Sequence, residues 1–502
     1  MDHARGFVLS DAAPLAPAPA RLRPTLWLLV FAGPALRTSL LGCLLVAEPA
    51  LGDAFTLSAE TLAILVEGAI FGGLLAVFLI PPLVAKLGLL RVAFLAAALT
   101  VLCLLVSIAG GSFASNDQRA VVGLFVAVGL LGFFVALLSP ISQTLLNNAT
   151  ISDPTARHSL QSAWSAGQPA GFIVASLVGG ALVESFGWWA TLAVPLLFAF
   201  VSLLALLDRS IAHLADREPV DLKPSANDIL WIVLALVAFE IWSTWGSLRS
   251  WLAPGVLVTL AVTIVFTLLA VNRTRQSPEP TVSPKPFASA GFGAATLILF
   301  IYQFPTTAEF EVLLLGELAH MSADEIGMRT AIGNVGQIAG TALAAALLLR
   351  HRAGLALIIG FILTIVGLSG YALYPWWNGF IFATVTRTIA GLGAGVLTPV
   401  LFVLALNRMP ASLQIAAGTW LVLALIGGTE VGLATFDIVL ELATKVAQSA
   451  FAGYVVVENA QLACSIATAI LTAWLITRGS LPVATGPAAG NTNAGTSPLV
   501  RP

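Results

Sequence analysis

Gly132-Phe133-Phe134-Val135-Ala136-Leu137-Leu138-Ser139-Pro140 recurs 259 residues later as Gly391-Leu392-Gly393-Ala394-Gly395-Val396-Leu397-Thr398-Pro399. Glycine and proline keep the same spacing in both copies. The same offset carries Arg91 onto Arg350, and each arginine stands just before an apolar run. A fixed offset of this size is the mark of a duplicated structural unit. Both copies lie inside long apolar stretches, so the duplicated unit is a set of membrane helices.

The rest of the chain agrees. Of its 502 residues, 58% are hydrophobic and only 10% are charged, against roughly 25% charged in a soluble domain. That leaves too few polar side chains to cover a water-facing surface, which excludes a soluble enzyme, a nucleic-acid binder and a disordered scaffold. The net charge of −2 gives no overall pull toward nucleic acid. Cys43, Cys103 and Cys464 are scattered through apolar runs without metal or redox spacing. No phosphate loop, metal cluster or nucleophile–base pair is present, so neither an enzyme nor an ATP-driven pump is expected, and no cofactor or metal.

A membrane-crossing helix needs about 20 mostly apolar residues. The apolar runs give fourteen expected spans, at about 25–47, 58–80, 89–110, 119–143, 160–184, 187–207, 228–246, 252–272, 288–315, 325–349, 354–374, 378–406, 411–436 and 449–477. The runs are continuous rather than alternating, which excludes a barrel. With the N-terminus inside and every run crossing, 17 basic residues fall inside and 4 outside, with Arg37 and Arg387 left within spans. This agrees with the positive-inside rule and predicts that both termini are cytoplasmic.

The repeat pairs spans 1–6 with 9–14 in parallel orientation, and spans 7 and 8 are an insertion. The expected organisation is therefore a disordered cytoplasmic N-terminus (1–24), a six-helix half (25–207) and linkers holding the two inserted helices (208–287). A second six-helix half (288–477) and a disordered cytoplasmic tail (478–502) follow. Parallel halves of this kind suit a rocking transporter whose site lies at the midplane between them.

In the fifth span Gly167, Gly171, Ala175, Gly179 and Gly180 stand on a four-residue spacing. They resemble the antiporter motif of the fourteen-helix drug:proton antiporter branch of the major facilitator superfamily, with Ser176 at the position of the motif's proline. The small residues equally fit close helix packing without antiport. Between spans 2 and 3, Leu83, Lys86 and Gly88, followed by Arg91, resemble the superfamily's cytoplasmic gate loop, with Ala85 at its aspartate position. The arginine that the branch carries in span 4 is replaced by Val128, and its repeat mate is Arg387. The membrane aspartate of span 1 is replaced by Leu40, with Arg37 one turn earlier. The resemblance implies an all-α, major-facilitator-like polytopic fold of two six-helix repeats plus two inserted helices. It also places spans 1, 4, 9 and 12 around a central cavity.

Ionisable groups inside a bilayer are costly and need a partner, a cavity or a function. On cavity spans these are Arg37, Glu309, Glu311 and Arg387, and elsewhere Glu67, Glu240, Glu430 and Glu458. Glu309, Glu311, Glu67 and Glu430 are candidate proton carriers, Glu309 first because its surroundings are apolar. The alternative for Glu309 and Glu311 is snorkelling to outer water. Arg37, Arg387, Tyr302, Gln303, Asn334 and Gln337 are candidate cavity groups, with fixed ion pairs between the halves as the alternative for the arginines. Glu240 and Glu458 are poorer candidates, lying off the expected cavity.

The expected function is alternating-access transport driven by the proton gradient, most simply efflux of a small organic molecule or drug. The protein would act as a monomer in a bacterial inner membrane, with lipid and substrate as partners and no nucleic acid. Two arginines at the cavity suggest an organic-anion or siderophore carrier instead. The degenerate signatures suggest a non-transporting receptor or assembly factor on the same scaffold.

Overall fold

The computed structural model describes residues 23–57, 59–112, 118–150, 153–215, 226–278, 280–289, 291–306, 323–373, 380–407, 409–410 and 413–483. Glu309, Glu311 and most of the expected disordered ends (residues 1–22 of 1–24 and 484–502 of 478–502) lie outside the described residues. The described elements are helical. They are α1 (Pro24–Phe55), α2 (Ala59–Leu87), α3 (Leu89–Ser112), α4 (Gln118–Ala149), α5 (Pro154–Val174), α6 (Gly180–Phe186), α7 (Ala193–Leu206) and α8 (Arg209–Ala215). Then come α9 (Ala226–Leu248), α10 (Pro254–Gln276), α11 (Phe292–Tyr302), α12 (Ala323–Leu349), α13 (Ala353–Leu373), α14 (Phe380–Leu406), α15 (Gln414–Ala447) and α16 (Ala450–Thr477).

Among the described residues, thirteen helical segments are long and apolar enough to cross a membrane, so the chain is a multi-pass integral membrane protein. The ninth expected span is described only as α11 and a short 3-10 turn at Phe304–Thr306. Large apolar side chains such as Val106, Leu268 and Ile470 are exposed along the helices. They suit a lipid solvent and would be a liability in water.

The fifth span departs from its expected start. It begins at Pro154 rather than near 160, because Asp153 caps it by accepting from Ala156 N and proline stands in the first turn. Arg157 and His158, which precede the expected span, are therefore helical and buried. The helix continues to Phe186 through a π-helical stretch at Ala175–Gly179, the part of the antiporter-like motif where Ser176 replaces proline.

The duplicated glycines do the same work twice. A Cβ on Gly132 would lie 2.1 Å from Ala69 O, and one on Gly391 would lie 2.3 Å from Gly333 O. Each lets the fourth helix of its group touch the backbone of the second, α4 on α2 and α14 on α12. Pro140 and Pro399 sit inside α4 and α14. The antiporter-like stripe is also a packing surface. Gly167 and Gly171 face Phe31 O and Ala35 O of α1 at 2.3 and 2.1 Å from an added Cβ, while Gly179 and Gly180 make ordinary contacts with Cys43 and Val46.

Among the described residues, the main contacts between the first six-span group and the last come in two pairs. Helix α2 packs on α15 and α5 on α12, while α4 packs on α15 and α5 on α14. Under the repeat, α2 corresponds to α12, α4 to α14 and α5 to α15, so each pair is the same contact made twice. The inserted hairpin α9–α10 leans on α2 and α15 from outside.

Candidate functional site

Arg37 enters the seam from α1. It lies in a narrow crevice with Leu40, Ala69, Gly73, Gly132 and Val135, contributed by α1, α2 and α4. Counting from Pro24 it stands about 20 Å along its helix. The charge that answers it belongs to buried Glu430 of α15, in the other group. A cation and an anion are thus set against each other across the line between the groups. Both residues stand out in the sequence, but nothing in it pairs them, because they are nearly 400 positions apart.

Arg387 lies on α14 with its side chain folded over Gly333 of α12. A Cβ there would meet Arg387 Cγ at 2.3 Å. The glycine is the space the guanidinium stem uses. Asn334, the next residue, is buried, and the Gln337 backbone is pressed against Gly391 and Gly395. Tyr302 is 1% exposed and stands edge-on to Phe361 of α13, with its hydroxyl facing Thr364 and within the field of Arg387. It belongs to the packing between α11 and α13. Gln303 packs beside Gly428 of α15. Glu458 is buried on α16, which packs on α11, α13 and α15.

Toward the end expected to be cytoplasmic, the seam is closed by groups that sequence reasoning missed. Trp164 of α5 and Phe402 of α14 are both buried, with ring centroids 5.0 Å apart across the seam. Trp164 Nε1 donates to Ser139 O at 3.2 Å, which fixes the ring from its own side. Arg157 donates to Leu406 O at 3.3 Å and to Thr150 Oγ1 at 3.3 Å. Leu406 ends α14, where a cation is favoured by the free carbonyls. His158 lies within electrostatic reach of His351 from the α12–α13 turn. Gly418 of α15 approaches Gln143 and Thr144 of α4. The only signals in the sequence were a tryptophan on a glycine-rich helix and an arginine near its cap.

The expected gate loop is a single residue. Gly88 joins α2 to α3 with φ +86°, a conformation that favours glycine. Lys86, Gly88 and Arg91 are exposed. Close by, Asp208 after α7 accepts from Thr25 Oγ1 at 2.7 Å and from Ser210 N at 2.9 Å, and faces Arg23 at 3.4 Å. These hydrogen bonds, the Thr25 hydroxyl foremost, hold its carboxyl down at about 2.

Glu240, expected to lie off the cavity, has a partner that the sequence did not show. Its carboxyl on α9 is hydrogen-bonded to Glu67 of α2. Among the described residues no group of three or more histidine, cysteine, aspartate or glutamate side chains is placed to hold a metal ion.

Residues 28–308 match the family model of the Major Facilitator Superfamily. The chain is 31% identical over 179 residues to the "Multidrug efflux pump LfrA" of Mycolicibacterium smegmatis, covering 35% of this chain and 34% of that protein. It is 26% identical over 328 residues to the "Tetracenomycin C resistance and export protein" of Streptomyces glaucescens, covering 62% and 59%. It is 27% identical over 304 residues to the "Methylenomycin A resistance protein" of Streptomyces coelicolor, covering 57% and 58%. The matched part therefore spans between a third and three fifths of these relatives. Among solved structures, the proton:xylose symporter XylE superposes with a TM-score of 0.60 at 16% identity, covering 90% of this chain and 95% of that one. The human organic anion transporter MFSD10 gives 0.58 at 14%, covering 90% and 100%. These two likenesses concern the fold.

Proposed function

Because the chain belongs to the Major Facilitator Superfamily, we propose that it is a secondary transporter that exports a small organic molecule by alternating access, driven by the proton gradient. The observation that carries the reading is the seam. The contacts α2–α15 and α5–α12 are equivalent under the repeat, and the Arg37–Glu430 pair sits between the groups. The end beyond that pair is plugged by Trp164, Phe402 and Arg157. Such a seam can rock about its two equivalent contacts, opening one end while the other closes.

Export of drugs is supported by the printed functions of the partial relatives, which are efflux and resistance proteins. Neutralisation of Arg37 by Glu430 favours a neutral or cationic substrate over an anion. On this reading the chain is a fourteen-helix member, with two parallel six-helix halves, an inserted hairpin and both termini in the cytoplasm of a bacterial cell. Glu309 is the first proton carrier to test, followed by Glu311. The experiment is dye transport in proteoliposomes under an imposed pH gradient, with a lipophilic cationic dye as probe. Gradient-driven dye movement that Glu309→Gln abolishes supports the reading. No movement of cationic, neutral or anionic probes under any gradient would turn it toward a receptor on the same scaffold.

A further inference from the structure

The hairpin α9–α10 touches both sides of the seam, and its two attachments differ in chemistry. At its turn it is fixed to α15. Trp251 N donates to Glu441 Oε2 at 2.7 Å, and Trp251 Nε1 donates to Asp437 Oδ2 at 3.0 Å. Ser250 Oγ donates to Glu441, and Lys445 donates to Ser250 Oγ at 3.1 Å and pairs with Glu441. Trp251, Val256 and Ala434 form a small apolar core beneath these bonds, with Trp242 tilted against Trp251 at 5.1 Å. Gly246 makes room for that ring, since a Cβ there would sit 2.2 Å from it. Every polar group in this attachment has its natural donor or acceptor.

The attachment to α2 is made by Glu67 and Glu240, whose side chains are hydrogen-bonded to one another. Ionised carboxylates are acceptors only. Glu67 Oε2 and Glu240 Oε1 are buried, and neither has a donor from the protein. A hydrogen bond between two carboxyl groups requires a proton on one of them, as in any close carboxyl pair. Other charged side chains described on the helices packed here are Arg37, Glu48 and Asp53 of α1, Lys86 of α2, Arg91 of α3, Asp228 of α9, Arg273 and Arg275 of α10, and Glu430, Asp437, Glu441 and Lys445 of α15. Arg37 is answered by Glu430, and Asp437 and Glu441 are held by the hairpin turn. The charge acting on Glu240 is that of Glu67, and the hydrogen bond joins the two.

We propose that the hairpin is a proton-operated strap across the seam, held to the α15 side by the Trp251 clamp and tied to α2 by one proton shared between Glu67 and Glu240. With the proton bound, one carboxyl donates to the other and α9 lies on α2. When the proton leaves to water, two carboxylates face each other away from bulk solvent, repel, and release α9 from α2 while the Trp251 clamp holds. The strap adds a proton site outside the central cavity. It rests on the rocking seam proposed above, but its protonation is read without any transport.

The test uses the purified full-length protein without substrate. Infrared titration should show a protonated-carboxyl band that is lost at high pH in the wild type. One component of the band should be missing from Glu67→Gln and from Glu240→Gln, and retained in the control Asp437→Asn. Hydrogen exchange over α9 should rise in the wild type as the band disappears. In Glu240→Gln the amide donates to Glu67 in place of the proton, so exchange should stay low at every pH. A titrating band of full wild-type amplitude in both glutamine variants overturns the proposal. So does the same pH dependence of α9 exchange in wild type and Glu240→Gln. Because neither readout involves substrate, failure of the strap is distinguishable from failure of the transport reading.

Discussion

Phe402→Ala tests whether the inner plug holds the seam closed. Phe402 is fully buried and its ring meets Trp164 of the other group at 5.0 Å. Burial of a phenylalanine is worth about 1.5–3 kcal/mol, and an aromatic pair adds about 0.5–1.5 kcal/mol. Part of the burial is kept in both states, because Phe402 also packs within its own group. Taking about half of it with the ring pair, the closed state loses about 2 kcal/mol relative to the open one, a shift of roughly thirtyfold in their ratio. The reporter is Thr144→Cys, in a protein whose Cys43, Cys103 and Cys464 are replaced by alanine. Thr144 is buried, and its hydroxyl lies 3.9 Å from where a Cβ on Gly418 would stand across the seam. An impermeant thiol reagent applied to the cytoplasmic face should modify it roughly thirtyfold faster in Phe402→Ala. Trp164→Ala in the same background should act in the same direction, and the double variant should gain less than the sum. An unchanged rate in a Phe402→Ala protein of unchanged thermal stability would refute the claim that this ring pair closes the seam.

Other perturbations probe other joints. Arg37→Ala and Glu430→Ala each remove one side of a buried charge interaction at the seam, at a cost of about 3 kcal/mol. The double variant should recover part of that loss in thermal unfolding, and strictly additive losses would dissolve the pair. Gly132→Ala and Gly391→Ala place a methyl against a backbone carbonyl and should each cost about 1–3 kcal/mol, whereas Gly123→Ala, with open space around it, should be near neutral. Asp208 is held at about 2 when folded. Its contribution is therefore fully present above the unfolded value near 4 and is lost as pH falls toward about 2. The melting-temperature gap between wild type and Asp208→Asn should accordingly stay constant from neutral pH down to about 5 and shrink below about 4. A gap that widens on acidification would contradict the hydrogen bonds drawn to Thr25 and Ser210.

Much of the scaffold was legible in the chain. Lipid imposes length and apolarity on a crossing helix, so composition and run length were enough to place the helices. The Gly-to-Pro repeat fixed which helices correspond, and Gly132 and Gly391 meet the same need because only a hydrogen leaves room for a neighbouring carbonyl. Arg37, Glu67 and Glu430 stood out because a charge in an apolar run is costly wherever it lies. Partnership was not legible. Arg37 and Glu430, Glu67 and Glu240, and Trp164 and Phe402 are each brought together by helices far apart in sequence. Periodicity along one helix gives the face a side chain occupies but not the helix that will cover that face. The place of Arg157 was not legible for a local reason: the Asp153 cap starts the helix before the apolar run and so carries the arginine into the seam. The sequence by itself thus determined what must lie in the membrane and which parts repeat. The tertiary structure decided which charges answer each other, which end of the seam is shut and how the inserted hairpin is tied, because those depend on distances between helices that no local pattern encodes.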